Sequence, residues 1–194
     1  MRDRPDAGFT LVELLLAVSV MLVIIVPLTN IFVLGLQTAS GGLQDTTNSA
    51  DAQALAGFFD TDVTNAETVS TTSTSCGGTG TVLLLAWTDG SKSVQVAYRV
   101  LADPAMQAEL NVSSPIDRLE RVRCVDSIEA DSTLVARSVL RTPAVSVTCD
   151  GGSCTSPTPR RVEMTVVEHT PQLADSGVSG RFTIGVTATR KVTP

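Results

Sequence analysis

The chain has 194 residues and a formal charge of −6, with 20 acidic and 14 basic side chains. This length leaves room for one ordinary domain beside a membrane anchor, and a head of about 130 residues can bury a hydrophobic core. The acidic balance argues against a nucleic-acid-binding surface as the main activity, because such binding depends on clustered Lys and Arg.

The first segments are a polar leader, residues 1–8, and an apolar run, residues 9–36, in which Glu13 is the only charge. As a helix, these 28 residues would span roughly 42 Å, more than the ~30 Å hydrocarbon core of a bilayer. Arg2 and Arg4 place the N-terminus in the cytoplasm by the positive-inside rule. We therefore expect a single span of the cytoplasmic membrane and an extracytoplasmic head.

Two other interpretations of the apolar run are a secretory signal peptide and a plain signal anchor. A signal peptide has an apolar region of about 7–15 residues, so this run is too long, although Thr38-Ala39-Ser40 resembles a small-residue cleavage site. A plain anchor is the stronger alternative. In that case Glu13 is a stray acid whose side chain extends to the lipid headgroups.

Glu13 is costly inside a membrane, where an acid at the bilayer centre costs about 2.5–3.5 kcal/mol on insertion scales. Such a group requires a cationic partner. If the chain were cut between Gly8 and Phe9, the new amino group would be a positive charge at the tip of the same helix, four residues before Glu13. Processing would thus create the partner.

The hexapeptide Gly8-Phe9-Thr10-Leu11-Val12-Glu13, placed before a long uncharged run, resembles the start of the type IV pilin-like prepilins, which carry a class III signal peptide. The resemblance implies that a dedicated prepilin peptidase cuts after Gly8 and methylates Phe9 at its new amino group. It also implies that Glu13 is the carboxylate used in assembly.

The apolar run contains one proline, Pro27, which removes a backbone donor. We expect a kink or a locally unwound segment near residues 23–27. Gly41-Gly42 is a second weak point. Pilin-family first helices often carry a proline in their membrane half, which is consistent with this position.

The following residues predict an amphipathic continuation of the helix. Apolar residues recur there at spacings of three and four: Ala52, Leu55, Phe59, Val63 and Ala66. The predicted division is therefore a leader at 1–8, a transmembrane and assembly helix at 9–40, an outer amphipathic half at 41–67 and a β-rich head at 68–194.

The head begins with a predicted Ser/Thr/Gly-rich loop, residues 68–80, after which the hydrophobic period changes to two. Residues 81–87 and 94–100 predict a hairpin around the turn Thr88–Ser91. Residues 103–115 look irregular and 119–125 form a weaker strand. The segment 126–140 is ambiguous between a loop and a short helix.

Three more alternating segments complete the head: residues 145–149, 162–166 and 182–188. The last two are expected to pair antiparallel across a polar loop, residues 170–180. The predicted fold is α+β, with one long helix against an antiparallel sheet. This order of elements resembles the pilin fold.

Looser similarities point to minor pilins and to the J-type minor pseudopilins of type II secretion. They are an Asp-containing helix end at 58–63, a Tyr-Arg strand at 96–99 and a Phe near the start of the final strand. These features are spread over residues 50–190, whereas the main resemblance covers residues 8–36.

Four cysteines fall in the head: Cys76, Cys124, Cys149 and Cys154. An oxidising compartment favours disulfides, and four cysteines allow three pairings. The flexible link between Cys149 and Cys154 favours their pairing, which leaves Cys76 with Cys124. A zinc site would normally need two closely spaced pairs, and the chain does not have them.

Catalytic chemistry has little support in this sequence. His169 is the only histidine and lies in no recognisable nucleophile motif, and no phosphate-binding or dinucleotide fingerprint is present. Asp126, Glu129 and Asp131 depart from the spacing of a calcium loop. We expect no enzyme activity, no catalytic residue, no metal and no cofactor.

Two arginine clusters break the acidic composition: Arg118, Arg121 and Arg123, and then Arg160-Arg161. Solvated strand faces explain them better than contacts with DNA, which is not an expected partner.

The leading hypothesis is a structural minor subunit of a type IV pilus or of a type II secretion pseudopilus. Its expected partners are the prepilin peptidase, other pilin or pseudopilin subunits, the inner-membrane assembly platform and, before assembly, membrane lipid. The alternative is a membrane-anchored binding protein, an adhesin or a DNA-uptake tip subunit, whose head carries the activity. An anchored enzyme is the third possibility.

Overall fold

The computed structural model describes residues 11–154, 158–170 and 180–191, and within the helix at residues 33–45 it describes the backbone alone. The chain divides into two compact units, Met1–Gly42 and Leu43–Pro194. Gly8 and Phe9 lie outside the described residues, as does most of the polar loop predicted before the last strand.

Helix α1 runs from Leu11 to Asn65 and contains Pro27. The helix is unbroken through this position, so the locally unwound segment that the proline predicts is not seen, and a bend there stays a prediction. The amphipathic continuation is confirmed, since Leu55, Phe59 and Val63 are almost completely buried.

The head is an antiparallel sheet with eight strands among the described residues, in the order β1-β2-β3-β4-β5-β7-β6, with β8 on the other edge of β7. The strands are β1 (Thr68–Ser70), β2 (Thr81–Asp89), β3 (Lys92–Ala102), β4 (Ile116–Val125), β5 (Ile128–Leu140), β6 (Ser146–Cys149), β7 (Arg161–Thr170) and β8 (Gly180–Thr189). The α+β organisation, a long N-terminal helix followed by an antiparallel sheet, is therefore pilin-like, as predicted.

Both predicted strand pairs are present. Strands β2 and β3 form the hairpin, and Gly90 in its turn has φ +61°, a left-handed conformation that suits glycine. Strands β7 and β8 pair along their full lengths, from Arg161↔Thr189 to Thr170↔Gly180. Alternation of period two thus correctly predicted β3, β7 and β8, whereas β2 was predicted from a continuous apolar run.

The ambiguous segment 126–140 is strand β5, so neither the loop nor the short helix is correct. Its first half is exposed and polar, and only residues such as Val135, Ala136 and Val139 reach the core. Register shifts against β4 further disturb the alternation. An exposed hairpin arm with bulges does not produce the half-buried pattern that identifies a strand.

Two smaller predictions are also corrected. The predicted loop 68–80 begins with the short strand β1, which pairs with β2. The irregular segment 103–115 contains helix α2, Pro104–Glu109. Asp103 caps this helix by accepting a hydrogen bond from the Met106 N–H, and Pro104 occupies the first turn, where its missing donor is harmless.

The main core lies between the apolar stripe of α1 and one face of the sheet. Phe59 meets Tyr98 of β3 edge to face, with ring centroids 5.9 Å apart, and both are fully buried. The opposite face of β3 and β4 carries a smaller cluster in which Ala97 and Val122 pack around Cys76 and Cys124.

Two disulfides join Cys76 to Cys124 and Cys149 to Cys154, which is the pairing that the short Cys149–Cys154 link favours. The first ties the segment before β2 to the sheet. The second closes a five-residue separation between β6 and the segment that leads to β7.

Candidate assembly segment

Within the described residues, one stretch of helix, Leu11–Phe32, is long and apolar enough to cross a membrane, and none of it is buried within the protein. Its exposed large side chains extend from Leu11, 76% exposed, to Phe32, 67% exposed. Monomeric soluble proteins rarely expose so large a continuous apolar surface. Such an exposed apolar helix indicates membrane anchoring.

The hydroxyl groups of Ser19 and Thr29 are bonded within the helix. The Ser19 hydroxyl donates to the Leu15 carbonyl at 2.8 Å, and the Thr29 hydroxyl donates to the Ile25 carbonyl at 2.9 Å. Such internal hydrogen bonds are what a hydrocarbon environment requires. The hydroxyls are therefore compatible with lipid.

Glu13 lies in the first turn of α1 with its side chain exposed. The positive end of the helix dipole favours an acid there. Because Gly8 and Phe9 lie outside the described residues, cleavage after Gly8 and methylation of Phe9 stay predictions. So does the assembly role of Glu13, whose placement near the start of the helix is compatible with it.

The head holds the outer half of α1 through a buried ion pair that the sequence alone did not reveal. Arg121 of β4 donates from both Nε and Nη2 to the Asp62 carboxylate at 2.7 Å, and the Tyr98 hydroxyl donates to the same carboxylate at 2.7 Å. The guanidinium also lies 5.0 Å from the centre of the Phe58 ring. Hydrogen bonding to Asp62 raises the pKa of Arg121, and burial raises the pKa of Tyr98.

A signal for this pair was present in the sequence. Asp62 lies on the same helical face as Phe59, Val63 and Ala66, and an acid inside an apolar stripe needs a partner across the interface. The identity of that partner, 59 residues further along the chain, follows only from the fold.

The first arginine cluster is not a single patch. Arg121 is buried against Asp62, whereas Arg118 pairs with Glu120 at 2.7 Å and lies 3.7 Å from Asp103. The alternation of the strand sends residues 118 and 121 to opposite faces. The structure therefore does not support a continuous basic surface built from these residues.

A basic cavity at the end of α1 combines residues that are distant in sequence. Arg190 donates to the Ala66 carbonyl at 2.8 Å, to the Pro159 carbonyl at 3.1 Å and to the Glu67 carbonyl, so it fixes the helix end. Arg160 and Lys191 line the same cavity, which has a volume of about 440 Å³. The sequence pattern marked Arg160-Arg161 but gave no means of placing Arg190 and Lys191 beside them.

The other residues considered for chemistry are dispersed. Asp126 accepts the Ser93 N–H at 3.0 Å, and Asp131 accepts the Thr133 hydroxyl at 3.2 Å. Burial lowers the pKa of His169. In the part of the chain that the structure describes, no three His, Cys, Asp or Glu side chains are grouped in a way that could hold a metal ion.

Residues 3–29 match the family model of the prokaryotic N-terminal methylation motif. No curated protein sequence and no solved structure matches the chain. The motif and the apolar helix together fit a type IV prepilin-like protein. Such a motif implies processing by a prepilin peptidase and assembly with other pilin subunits, and the apolar helix indicates membrane anchoring.

Proposed function

We propose that this type IV prepilin-like chain is a structural, minor subunit of a type IV pilus or of a type II secretion pseudopilus. In this account the precursor is cut after Gly8, methylated at Phe9 and added to a filament through its N-terminal helix. The observation that carries the proposal is the apolar segment Leu11–Phe32, which follows the cleavage motif and has no covering partner within the described protein.

Before assembly the segment resides in the cytoplasmic membrane, with the head on the extracytoplasmic side. The two disulfides are compatible with an oxidising compartment, because thiols are kept reduced in the cytoplasm. The partners on this route are the prepilin peptidase, the inner-membrane assembly platform and the other subunits. No catalytic role is assigned to the head.

Assembly exchanges lipid contacts of the segment for contacts with other apolar helices. This exchange has little hydrophobic driving force, since lipid tails are as apolar as Leu side chains. A specific polar contact must then set the axial register. We assign it to Glu13 of one subunit and the Phe9 amine of a neighbour, because opposite charges attract far more strongly in a low-dielectric helix core than in water.

The direct test is Glu13→Gln, which keeps the shape of the side chain and removes its charge. The variant should insert into the membrane as wild type does, because a neutral amide costs less in lipid than a carboxylate. Its incorporation into sheared, purified filaments should fall at least about tenfold, because the neighbour's amine loses its partner. Asp60→Asn, at an exposed acid on the same helix, is the matched control and should assemble normally.

Wild-type incorporation of Glu13→Gln would contradict the role of this carboxylate. A variant that fails to insert would contradict the expected normal insertion and would assign the Glu13 charge to membrane topology rather than to assembly. Membrane fractionation before filament purification separates these two results.

The assignment as a minor subunit draws on the resemblance carried by residues 58–63 and 96–99. In the structure these residues supply Asp62 and Tyr98, which meet in the buried network with Arg121. Quantitative mass spectrometry of purified filaments tests the assignment. A few copies per filament support it, and a copy number equal to that of the main subunit contradicts it.

A membrane-anchored binding protein is the second candidate, favoured by the cavity beside Arg160 and Lys191. The cavity is lined by three basic side chains, those two and Arg190, against one acid, Glu67, so an anionic ligand is the chemistry that it suits. Salt-sensitive retention of DNA by the detergent-solubilised chain, reduced by Lys191→Glu but not by Lys92→Glu, would favour this candidate.

A further inference from the structure

Two acidic side chains are buried together where α1 crosses strands β5 and β7. Glu168 of β7 has no solvent exposure and Asp51 of α1 is 7% exposed. The Asp51 carboxylate accepts the backbone N–H of Arg137 on β5 at 3.1 Å. Three elements of the head therefore meet at this carboxyl pair.

The pair lies where the backbone pairing between two neighbouring strands of the sheet, β5 and β7, is shortest. In the described part of the chain β5 and β7 share one register pair, Val139↔Glu168, whereas β7 and β8 pair along their whole lengths. We call this join the β5–β7 seam. Side-chain contacts therefore contribute much of what holds the seam closed. Between the strands, the Ser138 hydroxyl donates to the His169 carbonyl at 3.4 Å and Leu140 packs with Val167, and α1 adds the contacts of Asp51.

Glu168 lacks a well-formed hydrogen bond when it is ionised. Neither of its carboxylate oxygens has a partner in good geometry among the described residues, and both are inaccessible to solvent. The Arg137 backbone N–H, which is bonded to Asp51, is close enough to lower the pKa of Glu168, but burial outweighs it. An unpaired buried charge is among the most costly features a core can contain. A partner for these oxygens is therefore needed.

The charged groups that face Glu168 are Asp51 from α1 and Arg137 from β5. The Arg137 guanidinium is 3.8 Å from the Asp51 carboxylate, and its side chain is 54% exposed. Solvent therefore screens this cation. One screened guanidinium does not compensate two buried carboxylates.

We propose that Asp51 and Glu168 share one proton, and that this proton fastens α1 to the β5–β7 seam. Protonated Glu168 donates its O–H to the Asp51 carboxylate, which also accepts the Arg137 N–H. When the proton leaves for solvent, two like charges face each other in a dry site. The seam then opens to let water reach them.

The electrostatics of the pair agree with this arrangement. Burial and then the charge of Asp51 raise the pKa of Glu168 to about 8, from an ordinary value of 4.5. Burial also raises the pKa of Asp51. The folded state therefore binds more protons than the unfolded state between pH 4.5 and about pH 8, the two pKa values of Glu168. Stability falls as pH rises from about 4.5 to about 8 and levels off above that.

A proton suits the site better than a metal ion does. Calcium takes six to eight oxygen ligands. Asp51 and Glu168 supply four carboxylate oxygens, and the described residues bring no third potential metal-binding side chain to them. A proton needs no further ligand.

The test is thermal unfolding of the full chain in detergent micelles between pH 6 and pH 9, for wild type and Glu168→Gln. Wild-type Tm should fall by about 5–10 °C over this range. The amide that replaces the Glu168 carboxyl can donate a hydrogen bond to Asp51 at every pH, so the Tm of the variant should stay nearly level and exceed that of wild type at pH 9. Glu163→Gln, on the same strand but 34% exposed in an ion pair, should keep the wild-type slope.

Amide hydrogen exchange provides a second readout at the Arg137 N–H, which is bonded to Asp51. Comparing wild type with Glu168→Gln at equal pH cancels the intrinsic pH dependence of exchange. Protection in wild type should fall relative to the variant as pH rises toward about 8 and should level off above that.

Three results would overturn the proposal. They are parallel Tm curves for wild type and Glu168→Gln, a variant less stable than wild type at every pH, and a shift of wild-type Tm with millimolar Ca²⁺ that the variant lacks. The last result would replace the proton with a bound cation.

Discussion

The apolar side chains of the two halves of helix α1 differ in whether the protein itself covers them. Between Leu55 and Ala66 the apolar residues form a stripe, and the sheet covers that stripe almost completely. Between Leu11 and Phe32 apolar side chains surround the helix, and none is covered within the protein. The outer half packs on the sheet of its own chain, whereas the N-terminal half has no such cover within the described residues.

Helix patterning identifies the partner as well as the helix. A stripe of period 3.6 indicates packing against one surface, whereas an apolar surface on every side indicates immersion in lipid or among other helices. The acids Asp62 and Glu13 differ in the same way. Asp62 is bound by Arg121 within the head, and for Glu13 we propose a partner on another subunit.

The largest contrast is expected between Phe59→Ala and Phe32→Ala. Phe59 is 1% exposed and packs on Tyr98, so its truncation should lower the free energy of unfolding of the head by about 3–5 kcal/mol. Phe32 is 67% exposed, so its truncation should leave head stability within about 0.5 kcal/mol of wild type. Denaturant unfolding measures both. Equal losses of unfolding free energy in the two variants would contradict the claim that only the outer half of α1 packs on the head.

A somewhat smaller effect is expected from Asp62→Ala. This change leaves Arg121 buried without its carboxylate and should cost about 3 kcal/mol of head stability, again measured by denaturant unfolding. Asp60→Ala, two residues away and exposed, is the control and should change stability by less than about 0.5 kcal/mol. Similar values for the two variants would mean that the ion pair does not hold α1 on the sheet.

The smallest of these effects is expected from the paired change Cys149→Ser and Cys154→Ser. The disulfide closes a short separation of five residues, so the loop-entropy model assigns its loss about 2 kcal/mol, which thermal unfolding of the head can measure. Membrane insertion should be unchanged, because the disulfide lies in the head. A loss of insertion would show that anchoring depends on the head, and the two halves of α1 would then not be independent.

Most of the fold was predictable because its elements carry one clean period. The stripe from Ala52 to Ala66 and strand β8 each bury one face, and the hydrophobic pattern records this directly. The β2–β3 hairpin was visible from an apolar run and an alternating run on either side of a turn. Strand β5 was missed because its first half is exposed and its register against β4 shifts. Helix α2 was missed because it is only six residues long, although Asp103-Pro104, an N-cap residue followed by proline, is typical of a helix N-terminus.

The candidate sites divide along a similar line. The motif around Glu13 is local in sequence, so the order of residues alone makes it visible. The Asp51–Glu168 pair and the Asp62–Arg121 pair each join residues far apart in the chain. Acids inside an apolar helical stripe indicate that partners must exist, but only the sheet order brings those partners into place.

That this chain is a prepilin is tested most directly by the intact mass and N-terminal sequence of the membrane-extracted protein. The protein should be produced with and without the cognate prepilin peptidase. We expect a chain that begins at methylated Phe9 only when the peptidase is present. A chain that still begins at Met1 with the peptidase present, or one cut near Ser40, would contradict the prepilin assignment.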